Sequence, residues 1–99
     1  MRLPFLLVLA LLALPVAAGT SRAADAPPGA TSCSGCHPMH AKVNSPVTVL
    51  AGRKAAEIAA AMGSYRDGAW VSTIMTRIAK GFTDIEIDAI ADWYAKQKP

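Results

Sequence analysis

Residues 33–37 of this 99-residue chain read CSGCH, two cysteines separated by two residues and followed directly by a histidine. The pattern C-x-x-C-H is the signature of covalent haem attachment. Two thiols about one turn apart can add to the two vinyl groups on one edge of a porphyrin, which sets the adjacent imidazole beneath the iron. The sequence therefore predicts one haem, bound covalently through Cys33 and Cys36, with His37 as an iron ligand.

The start of the chain has the order of a secretory signal peptide. An arginine precedes an almost unbroken apolar run over 3–18 (LPFLLVLALLALPVAA), and small residues follow it in GTSRAADA. An uncleaved membrane anchor is the alternative, but the run is shorter than the roughly 20 residues that a spanning helix needs. We predict that 1–24 is removed on export, with cleavage after Ala23 or Ala24. Residues 25–99 would then form one periplasmic domain with no stable membrane insertion.

The exported part is nearly neutral and small. From Asp25 onward, eight Lys and Arg face seven Asp and Glu, although the whole chain has a formal net charge of +3. Nucleic-acid binding needs a basic surface, and this balance does not predict one. The apolar core of a domain of about 75 residues contributes only roughly 3–5 kcal/mol to the free energy of unfolding. Such a domain usually needs additional stabilisation from a disulfide or a bound group. A haem, which is large, flat and apolar, would supply the missing core.

Three other interpretations of the cysteines compete with haem attachment. A disulfide between Cys33 and Cys36 would suit an oxidising compartment. A thioredoxin-type redox pair belongs in a βαβ context, and no alternating strand pattern occurs in the sequence. A zinc site needs further Cys or His ligands, and the only histidines are His37 and His40. The export signal, the adjacent histidine and the small helical remainder favour haem.

The remainder of the chain predicts an all-α domain. Residues 41–52 are expected to form a loop. Strong helix formers predict a helix over 53–62 that ends near Gly63, and a second helix is expected over 69–80 with Gly81 as its stop.

The final helix has the clearest pattern. Thr83 and Glu86 have the spacing of a capping box, which would satisfy backbone donors at the helix start. An apolar stripe at helical spacing follows, formed by Ile87, Ile90, Ala91 and Tyr94.

A second iron ligand must come from outside the motif. Met39 and His40 lie too close to His37 in sequence to reach the opposite face of a haem. Met62 and Met75 remain, and the spacing favours Met75, although core packing would explain either methionine. A thioether opposite the imidazole would raise the reduction potential, which suits electron transfer.

The loop after the motif could also contribute to the site. A loop that passes Pro46 and returns to His37 can offer a backbone carbonyl to the second imidazole nitrogen, which would fix the orientation of the ring. An ordinary loop proline is the alternative.

The assembled motifs resemble a known family. CSGCH near the start of the exported part, a loop containing Pro46, a late methionine and a final helix with Trp93 and Tyr94 resemble class I cytochrome c. Residues 72–97 (STIMTRIAKGFTDIEIDAIADWYAKQ) more closely resemble the haem subunit of flavocytochrome c sulfide dehydrogenase, in which a STIM-x-RIAKG segment provides the methionine ligand. The chain has one C-x-x-C-H, and so differs from the two-haem members of that family.

This resemblance implies a fold and a ligand set. The fold would be a small class I cytochrome c fold, with about three to four helices wrapped around one covalently attached haem c. Cys33 and Cys36 would be the thioether anchors, and His37 and Met75 the axial iron ligands.

The resemblance also implies a partner, a periplasmic FAD-containing flavoprotein that oxidises sulfide and passes electrons to this haem. We therefore expect an electron-transfer subunit that is not catalytic alone. A free, diffusible single-haem carrier is the alternative, and Met75 argues against a gas sensor, which needs an open iron position. An apolar docking patch beside the haem edge would favour the subunit, and Trp70, Val71 and Phe82 are candidates for it. Taken singly, each of the three is favoured to pack in the core instead.

Overall fold

The computed structural model describes residues 26–99, which contain four helices. These are α1 (Ala30–Cys33), α2 (Ala55–Arg66), α3 (Met75–Ala79) and α4 (Asp84–Ala95). No strand occurs between 26 and 99, and the prediction of a small all-α domain is confirmed. In this part of the chain no helix combines the length and apolar character that crossing a bilayer requires. The predicted signal peptide, 1–24, lies outside the described residues.

Helix α4 begins and packs as the sequence predicts. Oγ1 of the N-cap residue Thr83 accepts the backbone N–H of Glu86 at 3.3 Å and donates to the Glu86 carboxylate at 3.0 Å. The first bond satisfies a donor that has no partner within the helix. The predicted stripe is buried, namely Ile87, Ile90, Ala91 and Tyr94. Helix α4 packs against both α2 and α1, so this stripe lies at the centre of the core.

Helix α2 is longer than predicted. The expected stop at Gly63 is wrong, because the helix continues through this glycine to Arg66. A glycine ends a helix most readily where it adopts a left-handed conformation, and Gly63 keeps a negative φ. Its carbonyl accepts the N–H of Asp67 at 2.9 Å. The turn comes at Gly68, which has φ +80°.

The predicted helix over 69–80 is wrong in its first half, because α3 begins only at Met75. Oγ of Ser72 accepts the N–H of Met75 at 3.2 Å, and the N–H of Ser72 donates to Oγ1 of Thr76 at 3.1 Å. Hydroxyl side chains that capture nearby backbone groups compete with helix formation. The segment 69–74 is therefore irregular, and it forms part of the wall of the site described below.

The core consists of two clusters. The first contains Ala30, Ile58, Ile90, Ala91 and Tyr94, and the second contains Met62, Ala79 and Ile87. Ala59 and Phe82 pack against both clusters and so connect them. Tyr94 is the one large side chain among the described residues that is fully buried. The core is therefore small even for a domain of this length.

Candidate functional site

A cavity of about 770 Å³ opens on one side of the helices. Pockets of roughly 300–1,000 Å³ typically hold drug-sized molecules and cofactors. The cavity is lined by Cys33, Cys36 and His37 from the N-terminal segment and by Met75 from α3. The structure thus brings all four predicted site residues to one cavity.

The cavity wall is mainly apolar. Its aliphatic and aromatic members include Val47, Leu50, Ile58, Met62, Trp70, Ile74, Ile78 and Ile90. Four of them are exposed, with Val47 at 36%, Trp70 at 52%, Ile74 at 62% and Ile78 at 40%. Burying apolar surface is favourable by about 25 cal/mol per Å². A flat apolar ligand in this cavity would cover these side chains and complete the small core, so the wall fits a porphyrin.

The cysteines are presented by α1 and the turn that follows it. Cys33 is the last residue of α1, and its carbonyl accepts the N–H of Cys36 at 3.2 Å and that of His37 at 2.9 Å. This turn sets both thiols and the imidazole on the cavity wall. Neither thiol is in a disulfide, and burial raises the pKa of the half-buried Cys33. Two free thiols about one turn apart are the arrangement that two thioether bonds to one porphyrin need.

His37 is oriented by a backbone carbonyl. Its Nδ1 lies 2.5 Å from the carbonyl oxygen of Thr48. Because a carbonyl can only accept, Nδ1 carries the proton and Nε2 keeps the lone pair that binds a metal. A loop carbonyl was predicted near Pro46; it belongs to Thr48, while Pro46 lies on the cavity wall.

The two candidate methionines have different surroundings. Met75 is the first residue of α3, is partly buried and lines the cavity. Met62 also lines the cavity, but it is only 9% exposed and packs in a core cluster with Ala79 and Ile87. Core packing therefore accounts for Met62, whereas Met75 lies at the edge of that cluster.

The remaining candidates near the motif do not reach the cavity. Met39 packs against the first core cluster, and His40 is exposed. Neither is part of the cavity wall formed by the described residues. Between 26 and 99, no three His, Cys, Asp or Glu side chains gather in a group that could hold a metal ion.

Sequence reasoning missed the anchor of α1. The hydroxyl of Tyr94 donates to the carbonyl oxygen of Ala30 at 2.5 Å, which ties α4 to the helix that carries Cys33. Burial raises the pKa of Tyr94 to about 12, so the phenol stays protonated and remains a donor. The sequence marked Tyr94 as part of an apolar stripe but gave no indication of a backbone partner.

The predicted apolar patch is only partly present. Val71 is 94% exposed and Trp70 is 52% exposed. Phe82 is not part of this patch, because its ring packs against both core clusters, as favoured for this residue taken singly. The ring lies so close to Gly29 that a Cβ there would be 2.7 Å from Cε1 of Phe82.

Comparison with curated proteins gives one similarity that bears on the site. The chain is 35% identical over 63 residues to the cytochrome subunit of sulfide dehydrogenase of Chlorobaculum tepidum. The predicted resemblance is confirmed. The matched segment covers 64% of this chain and 57% of that cytochrome subunit, so the chain spans a little over half of its relative's length. No family model and no solved structure matches the chain.

Proposed function

We propose that this chain is a cytochrome that binds one haem c covalently and transfers electrons one at a time. The observation that carries the proposal is that two free thiols, an oriented imidazole and a thioether line one apolar cavity. The haem would supply one-electron chemistry when bound, and a methionine ligand would raise its reduction potential. The similarity to a cytochrome subunit supports the same function.

Each residue of the site has a defined part in this function. Cys33 and Cys36 would bond the porphyrin, so that a small domain could not lose its cofactor. His37 would hold the iron through Nε2, because the Thr48 carbonyl already accepts the proton on Nδ1. Met75 would be the second iron ligand, and the apolar wall would limit the access of water, which tunes the potential further.

The test of this function is spectroscopic. The protein should be purified from cells that mature c-type cytochromes and titrated between its ferric and ferrous forms. The proposal expects a low-spin haem c spectrum and reversible one-electron reduction. A helical protein without haem absorbance would overturn it.

The relative is a subunit of a sulfide dehydrogenase, and this supports a proposal about the partner of this chain. We place this chain in the periplasm, as the predicted signal peptide indicates, where it accepts electrons from an FAD-containing flavoprotein. Sulfide oxidation would belong to the flavin, and this chain would take the electrons singly. Val71 supports a docked subunit, because an aliphatic side chain exposed at 94% lies next to Trp70 of the cavity wall.

A matched pair of variants tests the docking. Val71→Asp should reduce the amount of flavoprotein that co-purifies from periplasm, as measured by the flavin spectrum. Ile85→Asp is the control, since Ile85 is 83% exposed but lies on α4 and does not line the cavity. Recovery of the wild-type chain as an active monomer with no flavoprotein would instead identify the alternative, a free carrier.

A further inference from the structure

The segment that leads to Met75 has few backbone hydrogen bonds. The N–H of Trp70 donates to the carbonyl of Ser64 at 3.1 Å. Between Trp70 and Met75, Ser72 is the only residue whose N–H finds an acceptor among the described residues. The backbone before the proposed iron ligand is therefore fixed at few points.

Two hydroxyl side chains form the hydrogen bonds that hold this part of the backbone. Oγ of Ser72 accepts the N–H of Met75 at 3.2 Å, and Oγ1 of Thr76 accepts the N–H of Ser72 at 3.1 Å. Both residues are partly buried, and Ser72 lies on the cavity wall beside Met75. The two hydrogen bonds hold together the five-residue segment 72–76, which contains Met75.

Helix α3 cannot fix Met75 by itself. It has five residues, and its N-cap residue, Ile74, makes no side-chain cap. An isolated helix this short is unstable in water, because the free-energy cost of nucleation exceeds the stabilisation that one or two turns of hydrogen bonds provide. The position of Met75 therefore depends on the bonds of its neighbours.

We propose that Ser72 and Thr76 are positioning residues that hold Met75 against the iron and so limit the access of external ligands to it. The inference rests on the proposed function, in which Met75 is an axial ligand. An external ligand must displace the thioether, so any loosening of the Met75 backbone favours its entry.

The test is the binding of imidazole to the ferric protein, followed by absorbance. Ser72→Ala and Thr76→Val each remove one of the two bonds, and valine keeps the shape of threonine. Each should raise the affinity for imidazole about three- to tenfold, the factor expected for one lost hydrogen bond. Each should also weaken the ferric Met–iron absorbance band at the red end of the visible spectrum.

Two further variants serve as controls. Ser72→Thr retains the hydroxyl and should bind imidazole like the wild type. Thr73→Ala should also leave the affinity unchanged, because Thr73 is exposed and its side chain has no hydrogen bond among the described residues. Haem content and denaturant unfolding of each variant separate a local effect on Met75 from general loss of stability.

The outcomes distinguish this inference from the proposed function. If Ser72→Ala and Thr76→Val bind imidazole no more tightly than Thr73→Ala, the inference is overturned while the cytochrome function stands. If the wild type lacks the Met–iron band, or Met75→Ala does not change imidazole affinity, the ligand assignment itself fails, and the inference fails with it. Should Ser72→Ala not retain haem, the Thr76→Val result decides.

Discussion

The hydroxyl of Tyr94 donates to the carbonyl oxygen of Ala30 at 2.5 Å, across 64 residues of sequence. Tyr94 lies near the end of the last helix and Ala30 begins the first, and both are fully buried. Three residues after Ala30 comes Cys33, the first of the proposed haem anchors. The position of the haem-binding segment therefore depends on a bond made by the opposite end of the domain.

Replacing this tyrosine tests that dependence. Tyr94→Phe keeps the ring in the core but removes the donor, and should lower the free energy of unfolding by about 1 kcal/mol, the net value of a typical hydrogen bond. The measurement is denaturant unfolding of the haem-bound protein. Tyr65→Phe is the control, because the Tyr65 hydroxyl has no hydrogen bond among the described residues. Equal losses in the two variants would show that the bond to Ala30 contributes nothing.

The same hydroxyl predicts a pH dependence. Burial raises the pKa of Tyr94 from 10.0 to about 12 in the folded protein. Below pH 10 the Tyr94 hydroxyl is protonated in both the folded and the unfolded protein, and its contribution to the free energy of unfolding is complete. As the pH rises between the two values, the unfolded chain loses this proton first, so the stabilisation is lost. Unfolding measured over this range should show a decline in stability that Tyr94→Phe reduces and Tyr65→Phe leaves in place.

The two methionines of the cavity should respond differently to truncation. Met75→Ala should abolish the Met–iron absorbance band and lower the reduction potential, because the thioether ligand is lost. Met62→Ala should keep the band but cost about 2–5 kcal/mol of stability, as removal of a buried methionine does. Absorbance follows the band, potentiometry gives the reduction potential, and denaturant unfolding gives the stability. A band that survives Met75→Ala and disappears in Met62→Ala would reverse the assignment.

Two glycines should show opposite effects when changed to alanine. Gly29 has φ +86°, and a Cβ there would lie 2.7 Å from the Phe82 ring, so Gly29→Ala should destabilise the fold by about 1–3 kcal/mol. Gly63 lies within α2, and a Cβ added to it would meet no heavy atom within 4 Å, so Gly63→Ala should stabilise the protein by about 0.5–1 kcal/mol. Denaturant unfolding of both variants is the measurement. A stabilised Gly29→Ala would mean that α1 and Phe82 are not packed as described.

Much of the fold could be predicted where the determinants are local. The cap formed by Thr83 and Glu86 and the stripe that follows specify α4 within one stretch of sequence. The start of α3 could not be predicted in this way, because Ser72 and Thr76 are compatible with a helix until their hydroxyls bond the backbone. The surroundings of Phe82 stayed open between patch and core for another reason: an apolar residue in a loop can face either the core or the solvent, and only the packing decides.

In the candidate site, too, the residues set by local sequence could be predicted and those set by tertiary contacts could not. The CSGCH motif marks Cys33, Cys36 and His37 directly, since the chemistry requires them at fixed spacing. Spacing favoured Met75 over Met62 but left core packing open for both methionines, and the family resemblance then singled out Met75. Thr48 could not be found from the sequence, because it acts through its backbone carbonyl, which every residue has.

Every role assigned to this chain depends on one haem bonded through sulfur to Cys33 and Cys36, and the mass of the polypeptide shows whether that bond exists. The chain should be produced in cells competent in cytochrome maturation, denatured, and measured by mass spectrometry. We expect the mass of the polypeptide plus one haem, and retention of that increment under denaturing conditions. A mass equal to the polypeptide alone would contradict it.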